Sequence, residues 1–381
     1  MKCILIKKTC TLTDASGLPH VLKKGELYLR NLEVHDSCRD TVNLDDYIPQ
    51  LDVTEINKEL NHIPPFTILI FRPGGIGDLI AISSICQYLK DCNIIIYTMP
   101  KYFPLFRWFS SLLFYKDIRN PLFESFSFQK RILYKKNYRR FNCDGLIEKG
   151  DRRNWFRLLY NHAGINNMPP QLYRPSLVTD PYDAGYNTMD SKLLRELANN
   201  NKNILVCNKA NVMHRSIEFA DIFNALFPFL KKGNQVCVHK NHLSPADSLF
   251  LINIPVAKSK FIKVIAPGTL DNFFEELYAA HLVISVDTSA IHFREGIKKP
   301  AIGLYNSFTV ESRTRYYKYT RSYDIKSDCP AQPCFIHPNS QLEFCPECKK
   351  LQFAAPCFSS KTNKTLHSQL LNIFFFNKNL F

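Results

Sequence analysis

No stretch of this 381-residue chain approaches the roughly 20 consecutive apolar residues that a membrane-spanning helix requires. Nor does the sequence open on a cationic segment followed by an apolar one, the pattern of a secretion signal. From these two absences we expect a soluble, cytoplasmic protein. Acidic residues are scarce as well: 34 Asp and Glu stand against 49 Lys and Arg, a formal net charge of +15. That imbalance is silent on fold and points to a polyanionic partner or a phosphate-bearing membrane surface. There is no internal repeat and no low-complexity tract. Two familiar nucleotide loops are missing too. The stretch "FTILIFRPGGIGDLIAISSICQYLKD", Phe66 to Asp91, sets Gly74, Gly75 and Gly77 after a strand. Ile80, however, stands where a dinucleotide fingerprint has its third glycine, and the next strand, "NIIIYTM", ends without the acidic residue that would hold a ribose. No Gly-Lys-Ser/Thr follows either, which excludes a triphosphate-cradling P-loop.

What is present divides into five pieces. Residues 1–62 hold short β-like runs (Met1 to Lys8, Val21 to Leu22, Glu26 to Leu32) around glycine turns, the pattern of a small β module. Residues 63–180 alternate strands such as "TILIF" with helical patterns such as "AISSICQYLK", an α/β doubly wound, Rossmann-like unit. The aperiodic "RPSLVTDPYDAGYN" reads as a linker. A second Rossmann-like unit spans 186–326, with strands "NILVCN", "NQVCVH", "LVISVD" and "AIGLY" and a helix opening at Thr288. A cysteine-rich segment covers 327–358, and 359–381 ends in the helical pattern "LHSQLLNIFFF".

In open α/β sheets ligands bind at the carboxyl ends of the strands. Asp78 follows the first strand of the first unit, with Gly75 and Gly77 allowing a tight turn and close approach to a ligand. Its structural alternative is that it caps a helix beginning at Leu79. In the second unit the strand "LVISV" stops at Asp287, and Thr288 and Ser289 open a helix whose free N–H groups suit an anion such as a diphosphate. His292 lies one turn further on. A lone histidine there is more often a core or capping residue, but beside Asp287, Thr288 and Ser289 it reads as part of a ligand site.

Thirteen cysteines are many for such a chain, and five crowd into "CPAQPCFIHPNSQLEFCPECKKLQFAAPC", spaced C-x4-C-x10-C-x2-C-x8-C. Cys345 and Cys348 form one knuckle, and two more thiolates from Cys329, Cys334 and Cys357 would complete a tetrahedral structural site for zinc or iron. A sulfur-only set leaves no open position, so the expected role is a clip on a loop or an oligomer contact. Unligated thiols are the alternative.

Two of these stretches carry a family resemblance. "FRPGGIGDLIAISSICQYLK" resembles the first strand, loop and helix of the heptosyltransferase-like enzymes of glycosyltransferase family 9. "DTSAIHFREGIKKPAIGLY" is similar to their Asp-Thr-Gly-x-x-His donor motif and Gly-x-Pro strand. "FNCDGLIEKGDRRNWFRLLYNHAGI" is similar to a segment of the branch with protein-modifying autotransporter heptosyltransferases and phage-borne relatives, a branch that also carries a cysteine-rich metal finger. "NILVCNKANVMHRSIEFADIF" resembles the strand and basic turn that open the donor half. The resemblance implies a GT-B fold, two Rossmann-like domains facing a cleft, and transfer of a sugar from a nucleotide-diphosphate donor to an acceptor hydroxyl. Asp78 then matches the general base. Arg215 matches the basic residue on the donor phosphates, and Thr288, Ser289 and His292 match the donor-binding helix start. Glu148 and Asp144 are the alternative bases. Two departures bear on the donor sugar: Ser289 replaces the family glycine, and Phe293-Arg294-Glu295 replace small residues.

The acceptor is read from charge. Lys and Arg far outnumber Asp and Glu between Lys101 and Tyr160. Lys130, Arg131, Lys135, Lys136, Arg139 and Arg140 interleave with Tyr134 and Tyr138, a mixture suited to phosphate contact with base stacking, and Arg152 and Arg153 extend the basic stretch as further candidate acceptor contacts. A solvated basic face is the ordinary explanation. The Asn-, Lys- and Phe-rich style of the chain resembles phage proteins, among which are DNA glucosyl- and arabinosyltransferases acting in the host cytoplasm. The expected acceptor is therefore a hydroxymethylated cytosine in DNA. The alternatives are heptose transfer from ADP-heptose to a protein or lipopolysaccharide, and a non-catalytic binding protein on the same fold.

Overall fold

Short β-prone runs in the first 43 residues pair antiparallel. Strand β1 (Lys2–Ile6) lies between β4 (Leu27–Leu29) and β5 (Arg39–Asn43), and β2 (Cys10–Thr13) pairs with β3 (Pro19–Leu22). The longer apolar runs behave differently. Without polar alternation they suit strands covered on both faces, and they build two parallel sheets. The first is ordered β8-β7-β6-β9, from β6 (Thr67–Phe71), β7 (Asn93–Thr98), β8 (Leu113–Asp117) and β9 (Tyr138–Asn142). The second is ordered β12-β11-β10-β13-β14-β15, from β10 (Asn203–Cys207), β11 (Gln235–His239), β12 (Ile262–Ile265), β13 (Leu282–Val286), β14 (Ala301–Tyr305) and β15 (Thr320–Asp324). β8, β12 and β15 have no counterpart in the sequence reading. β12 carries Lys263 in a four-residue run, and β15 is polar along most of its length. The computed structural model describes residues 2–6, 8–13, 19–22, 27–29, 39–43, 67–72, 75–88, 93–109, 113–117, 138–142, 154–162, 172–180, 203–210, 215–306, 308–326 and 363–381.

Each sheet changes direction next to its first strand, between β6 and β9 and between β10 and β13. A crevice opens at such a reversal. Helix α1 (Ile76–Tyr88) follows β6, and α2 (Trp155–His162) lies beside it. Around the second sheet run α3 (Phe219–Leu226), α4 (Pro245–Asn253), α5 (Val256–Ser259), α6 (Leu270–Ala279), α7 (Ser289–Gly296), α8 (Val310–Arg313) and α9 (Leu366–Phe376). The C-terminal helix packs Leu366, Leu370 and Phe374 with Phe219 and Phe223 of α3, closing the outer face.

The inner face shares one core with the first unit. Trp108, Phe274 and Phe293 form its centre. Trp108 meets Phe293 edge-on at 5.0 Å, and Phe293 stacks on Phe274 at 4.9 Å. Residues 174–180, the start of the stretch read from sequence as an interdomain linker, are packed into this junction. Val178 N–H donates to Trp108 O (2.7 Å), Leu177 N–H to Gly296 O (3.2 Å) and Ser176 N–H to Ser83 Oγ (2.9 Å). The segment lacks periodicity because it serves two surfaces at once.

Arg294 and Glu295 also turn out to be scaffold. The fully buried Arg294 guanidinium donates to the carbonyls of Leu277, Ala280, His281 and Pro300, mostly around the C-terminal end of α6. That end carries negative dipole charge and unpaired carbonyls. Burial lowers Arg294 to about 9, so it stays protonated at neutral pH. Glu295 accepts the N–H groups of Lys318, Tyr319 and Thr320 and fixes the entry into β15. We expect Arg294→Met to cost about 3 kcal/mol or more, because several buried carbonyls lose their donor at once. Arg294→Lys should recover only part of the loss, both read by urea denaturation.

Candidate functional site

Asp78 lies in the first turn of α1, which begins at Ile76, so it does not cap a helix starting at Leu79. Its Oδ2 pairs instead with Nη2 of Arg72, a buried arginine just past the end of β6. Gly75 makes this possible. Its backbone sits at φ +82°, and a Cβ there would lie 2.2 Å from Asp78 Oδ2. Gly77 serves a second side chain: an added Cβ would lie 3.1 Å from Cδ2 of His292. The glycines read from sequence as room for a ligand thus also make room for two of the chain's own functional groups.

At the end of β13, Asp287 is buried and receives Arg215 Nη1 at 3.3 Å, and the same nitrogen lies 3.5 Å from the Asp287 carbonyl. Thr288 is the N-cap of α7, its hydroxyl accepting from Ala290 N–H and lying 2.8 Å from Ser285 Oγ. His292, one turn on, is buried. It shares a hydrogen bond between Nδ1 and the Tyr317 hydroxyl at 2.7 Å, and its ring packs on Trp155 at 4.7 Å. Burial, chiefly, lowers His292 to about 4, with Arg313 and Arg215 adding to the effect. It is therefore neutral at physiological pH and brings no charge to an anion.

Gly75, Gly77, Asp78, Arg215, Asp287, Thr288, Ser289 and His292 all line one cavity of about 480 Å³ between the two units. That volume falls in the range of small-molecule sites. Phe293, Arg294 and Glu295 do not line it. Sequence reasoning missed several lining residues: Tyr102, Trp155, Lys209, His239, His242, Phe273 and Arg313. Lys209 stands two residues past the end of β10 and its Nζ donates to Asn241 O at 3.1 Å. A cation after an apolar strand was a legible signal there. His239 holds Nε2 at 2.7 Å from Oε2 of buried Glu276, and burial pushes His242 down to about 4. Arg313 carried no such signal, standing in the charge-rich "ESRTR".

Asp144, Glu148, Lys130, Arg131, Lys135, Lys136, Arg152, Arg153 and the cysteines Cys329, Cys334, Cys345, Cys348 and Cys357 lie outside the described residues. Arg139 and Arg140 fall on β9, an edge strand of the first sheet. Among the described residues no group of three or more His, Cys, Asp or Glu is placed to hold a metal, and no helix is long and apolar enough to cross a membrane.

The depressed histidine gives a stability signature. His292 has an ordinary value of 6.5 and about 4 when folded, so between these limits the unfolded chain binds more protons. Its contribution is present above pH 6.5 and is lost as pH falls toward 4, to a limit of about 3 kcal/mol. Urea midpoints taken from pH 7 to 4.5 should fall more shallowly for His292→Gln than for the unaltered chain.

No protein-family model matches the chain, and no curated protein does. Solved structures do. The dodecameric iron-containing heptosyltransferase TibC in complex with ADP-D-β-D-heptose, an enterotoxigenic E. coli protein, aligns with a TM-score of 0.52 at 11% identity, over 100% of this chain and 94% of its own. E. coli heptosyltransferase WaaC with ADP gives 0.46 at 10% identity over 68% and 93% of the two chains. The E. coli ADP-heptose lipopolysaccharide heptosyltransferase II gives 0.44 at 14% over 68% and 90%. At these identities the likeness is one of fold: two Rossmann-like α/β units facing a cleft, the architecture implied by the sequence resemblance.

Proposed function

We propose that the chain is a glycosyltransferase moving a sugar from a nucleotide-diphosphate donor to an acceptor hydroxyl. One observation carries this reading: a carboxylate after the first strand of one unit, Asp78, and the anion-suited helix start Asp287–Ser289 of the other line the same cavity. The chemistry needs both. A base must take the acceptor proton as its oxygen attacks the anomeric carbon, and the departing diphosphate must be met by N–H groups or cations. Asp78, oriented by Arg72, takes the proton. The free N–H groups at the start of α7 lie where the diphosphate binds, and neutral His292 shapes the wall beside them.

ADP-heptose heads the donors to be tried, since TibC, the neighbour of matching fold, was solved with it. The acceptor divides the readings. Hydroxymethylated cytosine in DNA rests on the basic 130–153 sequence, and a protein or lipopolysaccharide hydroxyl rests on the heptosyltransferase likeness. Thiols at the spacing of Cys329 to Cys357 suit a closed zinc or iron site, and TibC is iron-containing. No step proposed here passes through that metal.

The test is incubation with a panel of nucleotide sugars and three acceptors, namely hydroxymethylcytosine duplex, serine-rich peptide and lipopolysaccharide core, followed by mass measurement of each. Added sugar mass on one acceptor supports the reading. If no donor is consumed in any tube, it fails. We expect Asp78→Asn to lower transfer by about 10²- to 10⁴-fold, the usual contribution of a general base. ADP affinity, measured calorimetrically, should change by less than about threefold in the same variant, since the uncharged amide still occupies the turn without touching the diphosphate.

A further inference from the structure

We propose that Arg313, rather than Arg215, is the cation that holds the donor phosphate next to the bond that breaks. The inference rests on the donor reading above and follows from the charges lining the cavity. Asp78 is matched by Arg72, and Asp287 by Arg215. Arg215 is thus already neutralised by a carboxylate at 3.3 Å. Arg313 is different. It is 6% exposed, and it makes no ion pair and no side-chain hydrogen bond among the described residues. Its guanidinium lies 3.8 Å from the centre of the Phe308 ring and 4.8 Å from that of Trp155. Aromatic faces offset part of the desolvation cost of a cation but do not satisfy its N–H donors. Those donors border a cavity, and a guanidinium fork matches two phosphate oxygens.

Position strengthens the assignment. Both Asp78 and Asp287 act on Arg313 through their charge without touching it, so it lies within reach of the base from one unit and the helix start from the other. The bond that breaks has to lie between those two points. The acceptor O–H gives its proton to the Asp78 carboxylate while its oxygen forms the new bond to the anomeric carbon. The anomeric C–O bond breaks with its electron pair passing to the β-phosphate oxygen, and the nucleoside diphosphate leaves with one more negative charge. Arg313 meets that charge where it appears.

Calorimetric titration of ADP and AMP into the full chain and its Arg313→Gln and Arg313→Lys variants tests this. The unaltered chain should prefer ADP over AMP. Arg313→Gln should weaken ADP by about 10- to 100-fold, the loss of charge-assisted hydrogen bonds, and AMP by less than about threefold. Arg313→Lys should lose about tenfold on ADP, since an ammonium cannot reproduce the fork. If Arg313→Gln does not melt cooperatively, Arg313→Lys decides alone. An unchanged ADP-to-AMP ratio in the folded variant overturns the role of Arg313 and leaves the donor reading standing. An unaltered chain that binds none of ADP, UDP, GDP and CDP overturns both.

Discussion

The close crossing of α1 and α7 is the constraint on which the site depends. Gly77 has no side chain to hold the helices apart, and His292 fills the space directly against it. Two strand ends from separate sheets are thereby brought to one cavity, each with its carboxylate at the start of the next helix. The crossing is braced from behind by the shared aromatic core of Trp108, Phe274 and Phe293 and by the strap of residues 172–180. Bulk on Gly77 or a charge on His292 would act on the same joint.

This explains why α7 is buried along nearly its whole length although it carries Arg294 and Glu295. Such residues are almost never fully buried unless every donor and acceptor is answered. Here the carbonyls near the end of α6 answer Arg294, and the backbone N–H groups entering β15 answer Glu295. The sequence departure at Phe293-Arg294-Glu295 therefore bears on how the second unit is held together and not on the cavity wall. Ser289 is the departure that does line the cavity.

Much of the site was legible because its residues follow apolar strands at fixed points. A strand buried on both faces announces itself by composition, and the residues that follow it lie at the carboxyl edge of the sheet: Asp287 directly after β13, Lys209 two residues past β10, and Asp78 in the first turn of the helix that follows β6. The central strands were readable for the same reason, while β8, β12 and β15, each carrying charged residues, were not. Arg313 and Trp155 were beyond sequence reading for a different cause. A guanidinium in "ESRTR" looks like a solvated surface charge until folding brings Phe308 and Trp155 against it, 5 and 158 residues away in the chain. Likewise Arg215 looks like a free phosphate ligand until Asp287, 72 residues on, is found opposite it.

The charge balance of the cavity has a further consequence. Two carboxylates are answered by two arginines, two lining histidines are held neutral by burial, and the Lys209 ammonium is engaged by the Asn241 carbonyl. Arg313 lines the same cavity as both carboxylates and makes an ion pair with neither. Were His292 protonated, it would compete with Arg313 for the same anion and repel it in the empty site. Kept neutral chiefly by burial, it can pack against Gly77 without contributing charge. The feature that lets the helices cross so closely is thus the same one that keeps His292 from competing with the Arg313 guanidinium for the ligand.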